Sequence, residues 1–327
     1  MRYVYLPMRI GVAALLSVIG YLGVQRDVRA TPGDVKAIAP GVWFREGELK
    51  DKGHCNNIWI EMKDYVIVVD ANFPSGAQVC LLDIKKTTQK PVKYVFDTHH
   101  HGDHAYGNPV WTRLGAITLA HVGVANEMKR YEPQRWQEAA KTRQDVAELK
   151  LAAPEPPRQT FSGDKFVLDD GTRKVEFHFF GWAHTRGDGF VYLPNEKILC
   201  TGDAVANGPY NYLGDGNSAN WPAVIAKAQR LDVTMVLPGH GPAGGKDVLS
   251  GQVQYLTELR KAVGDAVKAG RKLEDLVVKQ RNRAETTIKL PDSVKNWVDP
   301  EGLPAQVEVV YKEITTGKPH GEIIGGK

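Results

Sequence analysis

One short segment of the sequence concentrates side chains that bind metal ions. Residues 98–104 read Thr-His-His-His-Gly-Asp-His, so His99, His101, Asp103 and His104 form a His-x-His-x-Asp-His cluster. Neutral imidazoles and carboxylates are usual ligands of a zinc ion. Because alternate residues at the end of a strand point to the same side, His99 and His101 are able to converge on one ion. A turn after His101 lets Asp103 and His104 point to a second ion.

Three further candidate ligands lie downstream, each in a glycine-containing loop after a predicted strand. They are His184, Asp203 and His240. A lone histidine is more often structural, and a histidine cluster alone can be an adventitious metal patch. All of them together, in this order and each at a strand end, favour one metal site. His100 lies between two ligands and is expected to face away from them. Four other histidines have no such context: His54, His121, His178 and His320.

The predicted elements alternate between strand and helix, which indicates an α/β layered domain. The predicted strands are Val35–Ala39, Val42–Arg45, Asn57–Glu61, Tyr65–Val69, Val92–Phe96, Ala116–Ala120, Phe166–Leu168, Val175–Phe179, Gly189–Leu193, Lys197–Cys200 and Thr234–Leu237. The predicted helices are Ser75–Lys86 with Ser75 as its cap, Gln134–Leu151, Ala219–Arg230, Val248–Ala269 and Pro304–Thr315. Strands that end at Asp70 and at Asp203 are each followed by a helix and by a strand that runs into histidine. This repeated order of elements predicts two similar halves that place ligands at one shared site.

Residues 1–30 have the pattern of a secretory signal peptide. A basic start precedes the apolar run Ile10–Val24, and Val28-Arg29-Ala30 forms a small-x-small cleavage site. The run is shorter than the roughly 20 apolar residues of a membrane-spanning helix. We therefore expect cleavage near Thr31, a periplasmic or secreted protein and no stable membrane insertion afterwards. An uncleaved anchor is the alternative interpretation.

Composition limits the class of protein and of partner. The chain has 327 residues, 42% of them hydrophobic, which excludes a disordered chain and a disulfide-dense miniprotein. Of its 42 basic and 38 acidic residues, four and one lie in 1–30, which leaves 38 and 37 and a net charge of +1. That balance favours neither nucleic acid nor anionic membrane, so a small-molecule substrate is expected. The oligomeric state stays open.

Residues 31–270 are predicted to form one domain, and residues 271–327 are predicted to be a C-terminal extension of unassigned role. The chain has three cysteines, Cys55, Cys80 and Cys200. An oxidising compartment would permit one disulfide, between any two of them, with one thiol left over. Cys200 lies in an apolar run and is interpreted as a buried structural thiol.

The ligand set resembles that of the metallo-β-lactamase superfamily of binuclear metallohydrolases, over roughly residues 35–260. The resemblance implies a four-layer αββα sandwich with the site at the edge between its two sheets. It implies two zinc ions, although iron and manganese occur in the family. The first metal would be held by His99, His101 and His184. The second would be held by Asp103, His104 and His240, with Asp203 bridging both.

By the same resemblance, a metal-bridging hydroxide would be the nucleophile, and Asp103 would orient it and carry its proton. Asp70 and Asp97 are candidates for fixing ligand imidazoles, although a structural role at a strand end is an equal alternative. The loop after Asp203 is predicted to border the pocket, with Tyr210, Tyr212 and Trp221 as its walls. An ordinary surface loop is the alternative there.

Asp203 also indicates a branch of the family. Established zinc β-lactamases carry Cys or Ser at this position, and one subclass has a lysine three residues later, where this chain has Ala206. The chain is more similar to Asp-bridged members such as glyoxalase II, lactonases and exported proteins. It departs from glyoxalase II because no Gly-Cys-Gly-Arg follows Asp203.

The resemblance implies an exported zinc-dependent hydrolase that cleaves an ester, thioester, lactone or amide bond, β-lactams included. Two other classes stay open. A mononuclear iron oxidoreductase of persulfides would use one metal held by His99, the His101 region and Asp203, and a non-catalytic periplasmic maturation factor would bind a partner instead. RNA-processing members need a basic surface, and flavodiiron members have glutamate where this chain has His101; both are disfavoured.

Overall fold

The computed structural model describes residues 33–281 and 283–324, so the predicted signal peptide lies outside the described part of the chain. Its first sheet has seven strands in sequence order. The first four strands pair antiparallel and the last four pair parallel. They are β1 (Val35–Ala39), β2 (Val42–Arg45), β3 (Asn57–Glu61), β4 (Val66–Val69), β5 (Val92–Phe96), β6 (Ile117–His121) and β7 (Gln159–Phe161).

The second sheet has five strands in the order β12-β11-β10-β9-β8. Its pairs are antiparallel except for the parallel pair β11 and β12. The strands are β8 (Lys165–Asp169), β9 (Lys174–Phe179), β10 (Gly189–Leu193), β11 (Ile198–Cys200) and β12 (Met235–Leu237). A separate hairpin joins β13 (Val277–Gln280) to β14 (Arg283–Thr286).

Helices cover the outer face of each sheet. They are α1 (Leu49–Lys52), α2 (Pro74–Thr87), α3 (Gly102–Ala105), α4 (Asn108–Thr112), α5 (Val122–Thr142), α6 (Gln144–Ala147), α7 (Trp221–Ala228), α8 (Asp247–Lys268), α9 (Leu273–Leu276), α10 (Leu303–Thr316) and α11 (His320–Ile324). Two short 3₁₀ helices, Gly202–Ala204 and Asp292–Trp297, complete the described elements.

The strands alternate between two apolar layers, because successive side chains of a strand point to opposite faces. In β10, Val191 and Leu193 enter the core between the two sheets, whereas Phe190 and Tyr192 face the helices α7, α8 and α10. In β4, Ile67 and Val69 face the second sheet, while Val68 packs with α2 and α4. The order helix, sheet, sheet, helix confirms the predicted four-layer αββα sandwich.

The predicted strands are all observed, to within one residue at each end. Two helix predictions were wrong in detail. Helix α2 begins at Pro74 with Phe73 as its N-cap, because proline suits the first helical turn; Ser75 instead bonds to Asp145. The helix predicted over Gln134–Leu151 is two helices, since α5 starts at Val122 and the extended backbone of Arg143 separates it from α6.

All three cysteines lie in the described residues and are buried and free, so the permitted disulfide is not formed. The interpretation of Cys200 as a buried thiol is confirmed. None of the helices formed by the described residues is both long enough and apolar enough to cross a membrane.

The segment after residue 270 packs on the second sheet's helical layer. Val307 and Val310 of α10 share one apolar cluster with Leu256 and Leu259 of α8. At the end of α10, Glu313 is buried and accepts hydrogen bonds from Arg260, from Ser218 and from the backbone N–H of His320. The C-terminal segment is therefore fixed to both α8 and the loop that follows Asp203.

Candidate metal centre

Three imidazoles converge at the sheet edge where β5 ends. The Nδ1 atom of His101 lies 3.1 Å from Nε2 of His99 and 3.0 Å from Nε2 of His184. A tetrahedral zinc ion with Zn–N bonds of about 2.1 Å holds its ligand atoms roughly 3.4 Å apart. The spacing of the three nitrogens is thus close to that of one coordination sphere.

The hydrogen bonds of the outer ring nitrogens determine the tautomer of His101 and of His184, and so determine which nitrogen of each ring is left unprotonated. Nε2 of His101 donates to the Asp215 carboxylate at 2.8 Å, and Nδ1 of His184 donates to the Tyr212 carbonyl at 2.9 Å. In the neutral rings both inward nitrogens then carry lone pairs, which cannot hydrogen-bond to each other and which a cation stabilises. Burial lowers the pKa of His184 to about 3, so this ring is neutral, as a metal ligand must be.

A second cluster lies beside the first. Nε2 of His240 is 3.1 Å from Oδ2 of Asp103 and 3.3 Å from Nε2 of His104. Nδ1 of His104 bonds to Oδ2 of Asp70 at 2.8 Å, while Oδ1 of Asp70 accepts from the Thr98 N–H. The Asp70 carboxylate thus fixes the orientation of the His104 ring.

Asp203 lies between the two clusters. Its Oδ1 is 3.3 Å from Nε2 of His104, and its Oδ2 is 3.4 Å from Nε2 of His240 and 3.9 Å from Nε2 of His184. Oδ1 is buried and accepts no hydrogen bond from the described residues. Gly239 permits this approach, since a Cβ there would lie 2.1 Å from that oxygen. The site therefore has a buried acceptor that a cation would satisfy.

The electrostatics of the second cluster also fit a cation. Burial alone would lower the pKa of His240, but Asp203 and Asp103 raise it to about 9. Burial would raise the pKa of Asp103, yet His104 and His240 lower it to about 2. The carboxylates thus remain ionised at neutral pH and attract positive charge.

His100 faces away from both clusters, as predicted. Its ring is fully buried, with Nε2 3.4 Å from Oδ2 of Asp215 and 3.6 Å from Oε1 of Glu132. Arg135 donates to both oxygens of Asp215, at 2.6 and 2.8 Å, and to Glu132 at 3.1 Å. His100, Glu132 and Asp215 are buried, and with the partly exposed Arg135 they form a polar network behind His101.

The other predicted residues divide into those that reach the site and those that do not. Asp70 contacts a ligand imidazole, whereas the buried Asp97 accepts from Asn108 and makes no hydrogen bond with a histidine of the described residues. Tyr210 and Tyr212 line a cavity of about 770 Å³ over the clusters. Trp221 is wholly buried and is not a wall, because its indole donates to the Ala204 carbonyl and packs 5.4 Å from the His184 ring.

Sequence reasoning missed the groups that orient the ligands. Asp215 lies in a Gly-Asp-Gly-Asn loop and Arg135 on α5, 80 residues apart, and neither has a motif. Asp188 was missed too. It accepts from the backbone N–H groups of Ala183 and Thr185, on either side of His184. The available sequence signal was an Asp four residues after a candidate ligand.

The C-terminal segment anchors the loop that carries Asp215. Nδ1 of His320 contacts the Gly214 carbonyl at 2.6 Å, and the Gly321 N–H donates to Gly216 at 3.3 Å. The indole of Trp297 donates to the Ala206 carbonyl at 3.3 Å. The loop from Asp203 to Asp215 is thus held from outside by residues beyond 296.

Comparisons with known proteins give the family. The model of the metallo-beta-lactamase superfamily matches residues 51–240. The metallo-beta-lactamase IND-1 of Chryseobacterium indologenes is 27% identical over 210 residues, which are 62% of this chain and 77% of that protein. The 2,4-dinitroanisole O-demethylase subunit alpha of a Nocardioides species is 27% identical over 153 residues, 46% of this chain and 41% of that one. A metallo-beta-lactamase structure from Pontibacter korlensis has a TM-score of 0.55 at 25% identity, covering 68% of this chain and 98% of that one.

The fold and the convergent histidines and carboxylates define a metal-dependent hydrolase. The chain belongs to the metallo-beta-lactamase superfamily, as the motif had indicated.

Replacing Asp70 with asparagine is expected to weaken metal binding at the second cluster by about 10- to 100-fold, because the partner of His104 loses its charge. Asp70 has a φ of 66°, which asparagine tolerates, so the backbone is kept. Titration with a chromophoric zinc chelator measures the effect. Asp97→Asn, a buried strand-end carboxylate without a histidine contact, is the matched control. Equal affinities in the two variants would contradict the role given to Asp70.

Proposed function

We propose that the chain is an exported dizinc hydrolase that cleaves an ester, thioester, lactone or amide bond, β-lactams included. The supporting observation is Asp203, a buried carboxylate placed between two clusters of ligand atoms. The residues that would hold the first ion are His99, His101 and His184. Asp103, His104 and His240 would hold the second, and Asp203 would bridge.

When bound, a pair of divalent cations lowers the pKa of water and polarises an acyl oxygen. The side chain of Asp103 is 22% exposed and lines the cavity, and its pKa of about 2 keeps it ionised at pH 7. The ionised Asp103 would therefore orient the attacking water by accepting a hydrogen bond from it. The water oxygen bonds to the carbonyl carbon, the acyl–heteroatom bond breaks, and the proton passes to the leaving group. The products are a carboxylic acid and an alcohol, thiol or amine.

The choice of scissile bond is left broad for two reasons. One relative is a metallo-beta-lactamase and another is a subunit of a 2,4-dinitroanisole O-demethylase, so the names of the relatives refer to reactions at different bonds. This chain has Asp203 and Ala206 at the positions where established zinc β-lactamases carry a Cys or Ser and, in one subclass, a lysine.

The second cluster supports two metals over the mononuclear iron alternative, since Asp103, His104 and His240 form a separate set of facing ligand atoms.

Export is proposed from the pattern of residues 1–30, and mass spectrometry of the secreted protein should find its first residue near Thr31. No nucleic acid or membrane partner is proposed.

The test is metal analysis by plasma mass spectrometry, followed on the same sample by hydrolysis of an aryl ester, a thioester, a γ-lactone and nitrocefin. We expect about two zinc ions per chain and turnover of at least one substrate. His101→Gln should lose metal and turnover, whereas His178→Gln, a buried histidine bonded to Glu176, should keep both. One iron ion per chain would overturn the proposal, and so would two zinc ions with no turnover in the panel.

A further inference from the structure

Four aromatic side chains line the cavity above the metal-ligand clusters: Phe73, Tyr106, Tyr210 and Tyr212. The ring of Tyr212 lies 5.4 Å from that of His101, and the ring of Tyr210 lies 6.1 Å from that of His240. One tyrosine therefore stands beside each cluster. A cavity of about 770 Å³ has room for a ligand that carries an aromatic ring beside these walls.

The two tyrosines are exposed but their loop is held in place. Tyr210 is 36% exposed and Tyr212 is 50% exposed, so each presents ring surface that the protein itself does not cover. Between them, Asn211 accepts from Gln252 through its side chain, at 2.6 Å, and from Gln306 through its carbonyl, at 2.7 Å. Rings on a fixed loop lose little conformational entropy when a ligand stacks on them.

The charge of the cavity lining disfavours anionic ligands. Among the described residues that line it, Arg135 is the one Arg or Lys side chain, and its guanidinium is occupied by Asp215 and Glu132. Asp299 adds a further carboxylate at the rim. Arg143 stacks on Phe73 at 3.5 Å but pairs with Asp145 and does not line the cavity. A substrate carboxylate would thus find no free cation away from the metals.

We propose that this hydrolase, if it acts as proposed above, takes uncharged acyl substrates that carry an aromatic ring, which stacks on Tyr212 or Tyr210 while the acyl carbon lies beside Asp203. This inference rests on the proposed function and adds the substrate class to it. Hydrolysis of such a substrate consumes one water and yields a carboxylic acid and the free leaving group, with no other reactant.

Matched methyl esters, whose leaving group carries no ring, test charge and ring separately when hydrolysis is followed by acid release in a pH-stat. The butyrate and the monosuccinate have the same chain length and differ by one carboxylate; we expect kcat/KM at least about 10-fold higher for the butyrate. The 3-phenylpropanoate and the 3-cyclohexylpropanoate differ in the aromaticity of one ring. We expect about 5-fold higher kcat/KM for the phenyl ester, the size of an aromatic pair interaction.

The ring preference should depend on the two tyrosines. In Tyr210→Leu/Tyr212→Leu it should fall below about 2-fold, since an aliphatic wall does not distinguish the rings by stacking. His184 keeps its partner in this variant, because that bond is to the Tyr212 backbone carbonyl. Tyr65→Leu, which removes a tyrosine outside the cavity, is the control and should keep the preference. Equal rates for butyrate and succinate, or a preference unchanged in the double variant, would overturn the proposal.

Failure of the hydrolase proposal would look different. If the unaltered protein hydrolyses no ester faster than the His101→Gln variant does, the proposed hydrolytic function is wrong. The ligand class is then tested by calorimetric binding of N-methyl-3-phenylpropanamide and its cyclohexyl analogue. Tighter binding of the phenyl amide, lost in the double tyrosine variant, would support the ligand class. Equal binding of the two amides would overturn it.

Discussion

Asp103→Ala and His240→Ala will each abolish hydrolysis without unfolding the protein. Each removes a ligand atom from the second cluster, where Oδ2 of Asp103 and Nε2 of His240 lie 3.1 Å apart. Asp103 lies in the one-turn helix α3 and His240 in the loop after β12, and neither belongs to the apolar clusters. We expect kcat/KM to fall by at least about 100-fold and bound zinc to fall from two ions to one.

Steady-state kinetics, metal analysis and thermal melts measured by circular dichroism check this on one sample. His178→Gln serves again as the control, since it alters a histidine on β9 outside the site. Near-full turnover in either alanine variant would contradict the two-metal assignment. A melting temperature lowered by ten degrees or more would instead show that the substituted side chain is needed for the fold.

Asp215→Asn is expected to reduce both stability and metal binding at the first cluster. The buried carboxylate accepts from His101 and binds Arg135 through both oxygens. Removing one partner of a buried ion pair costs about 3–5 kcal/mol, and because the Arg135 side chain is 34% exposed we expect about 2 kcal/mol. Zinc affinity should fall by about 10- to 100-fold, since His101 loses the charged partner that orients it.

Urea unfolding and competition with a zinc chelator measure the two effects independently. Glu138→Gln neutralises an exposed carboxylate on α5 that pairs with Lys141 on the surface, and it should change neither quantity. Asp215→Asn with unaltered zinc affinity would show that the His101 ring is held in place without this carboxylate. An unaltered free energy of unfolding would show that water solvates the Arg135 guanidinium and replaces the lost ion pair with Asp215.

The sequence was sufficient for eleven of the fourteen strands of the described residues, because these depend on short-range patterns, and it missed β7, β13 and β14. Strand β4 is apolar on both faces, as a strand between two layers must be, and it ends at Asp70. Candidate ligands at the ends of β11 and β12 meet because these strands are parallel neighbours, and the packing of the two sheets brings the end of β5 beside them. The strand patterns involve a few neighbouring residues each.

The remaining features depend on contacts between distant segments. Helix α5 begins directly at the end of β6, where the His121 side chain accepts from the Gly123 N–H and replaces a conventional cap. The bond from His101 to Asp215 joins residues 114 positions apart. Trp221 begins α7 and was predicted to be exposed to the pocket, yet it faces the core because its indole finds a buried carbonyl. No local pattern encodes such pairs.

The contacts of the loop after Asp203 with residues 320 and 321 couple the candidate metal centre to a distant segment. The carbonyls of Gly214 and Gly216 receive their partners from His320 and Gly321. The matched family region ends at residue 240, so a fragment cut there would contain every ligand and lack these contacts. Truncation after residue 240 is therefore expected to loosen the loop that carries Asp215, the partner of His101, while it keeps every candidate ligand.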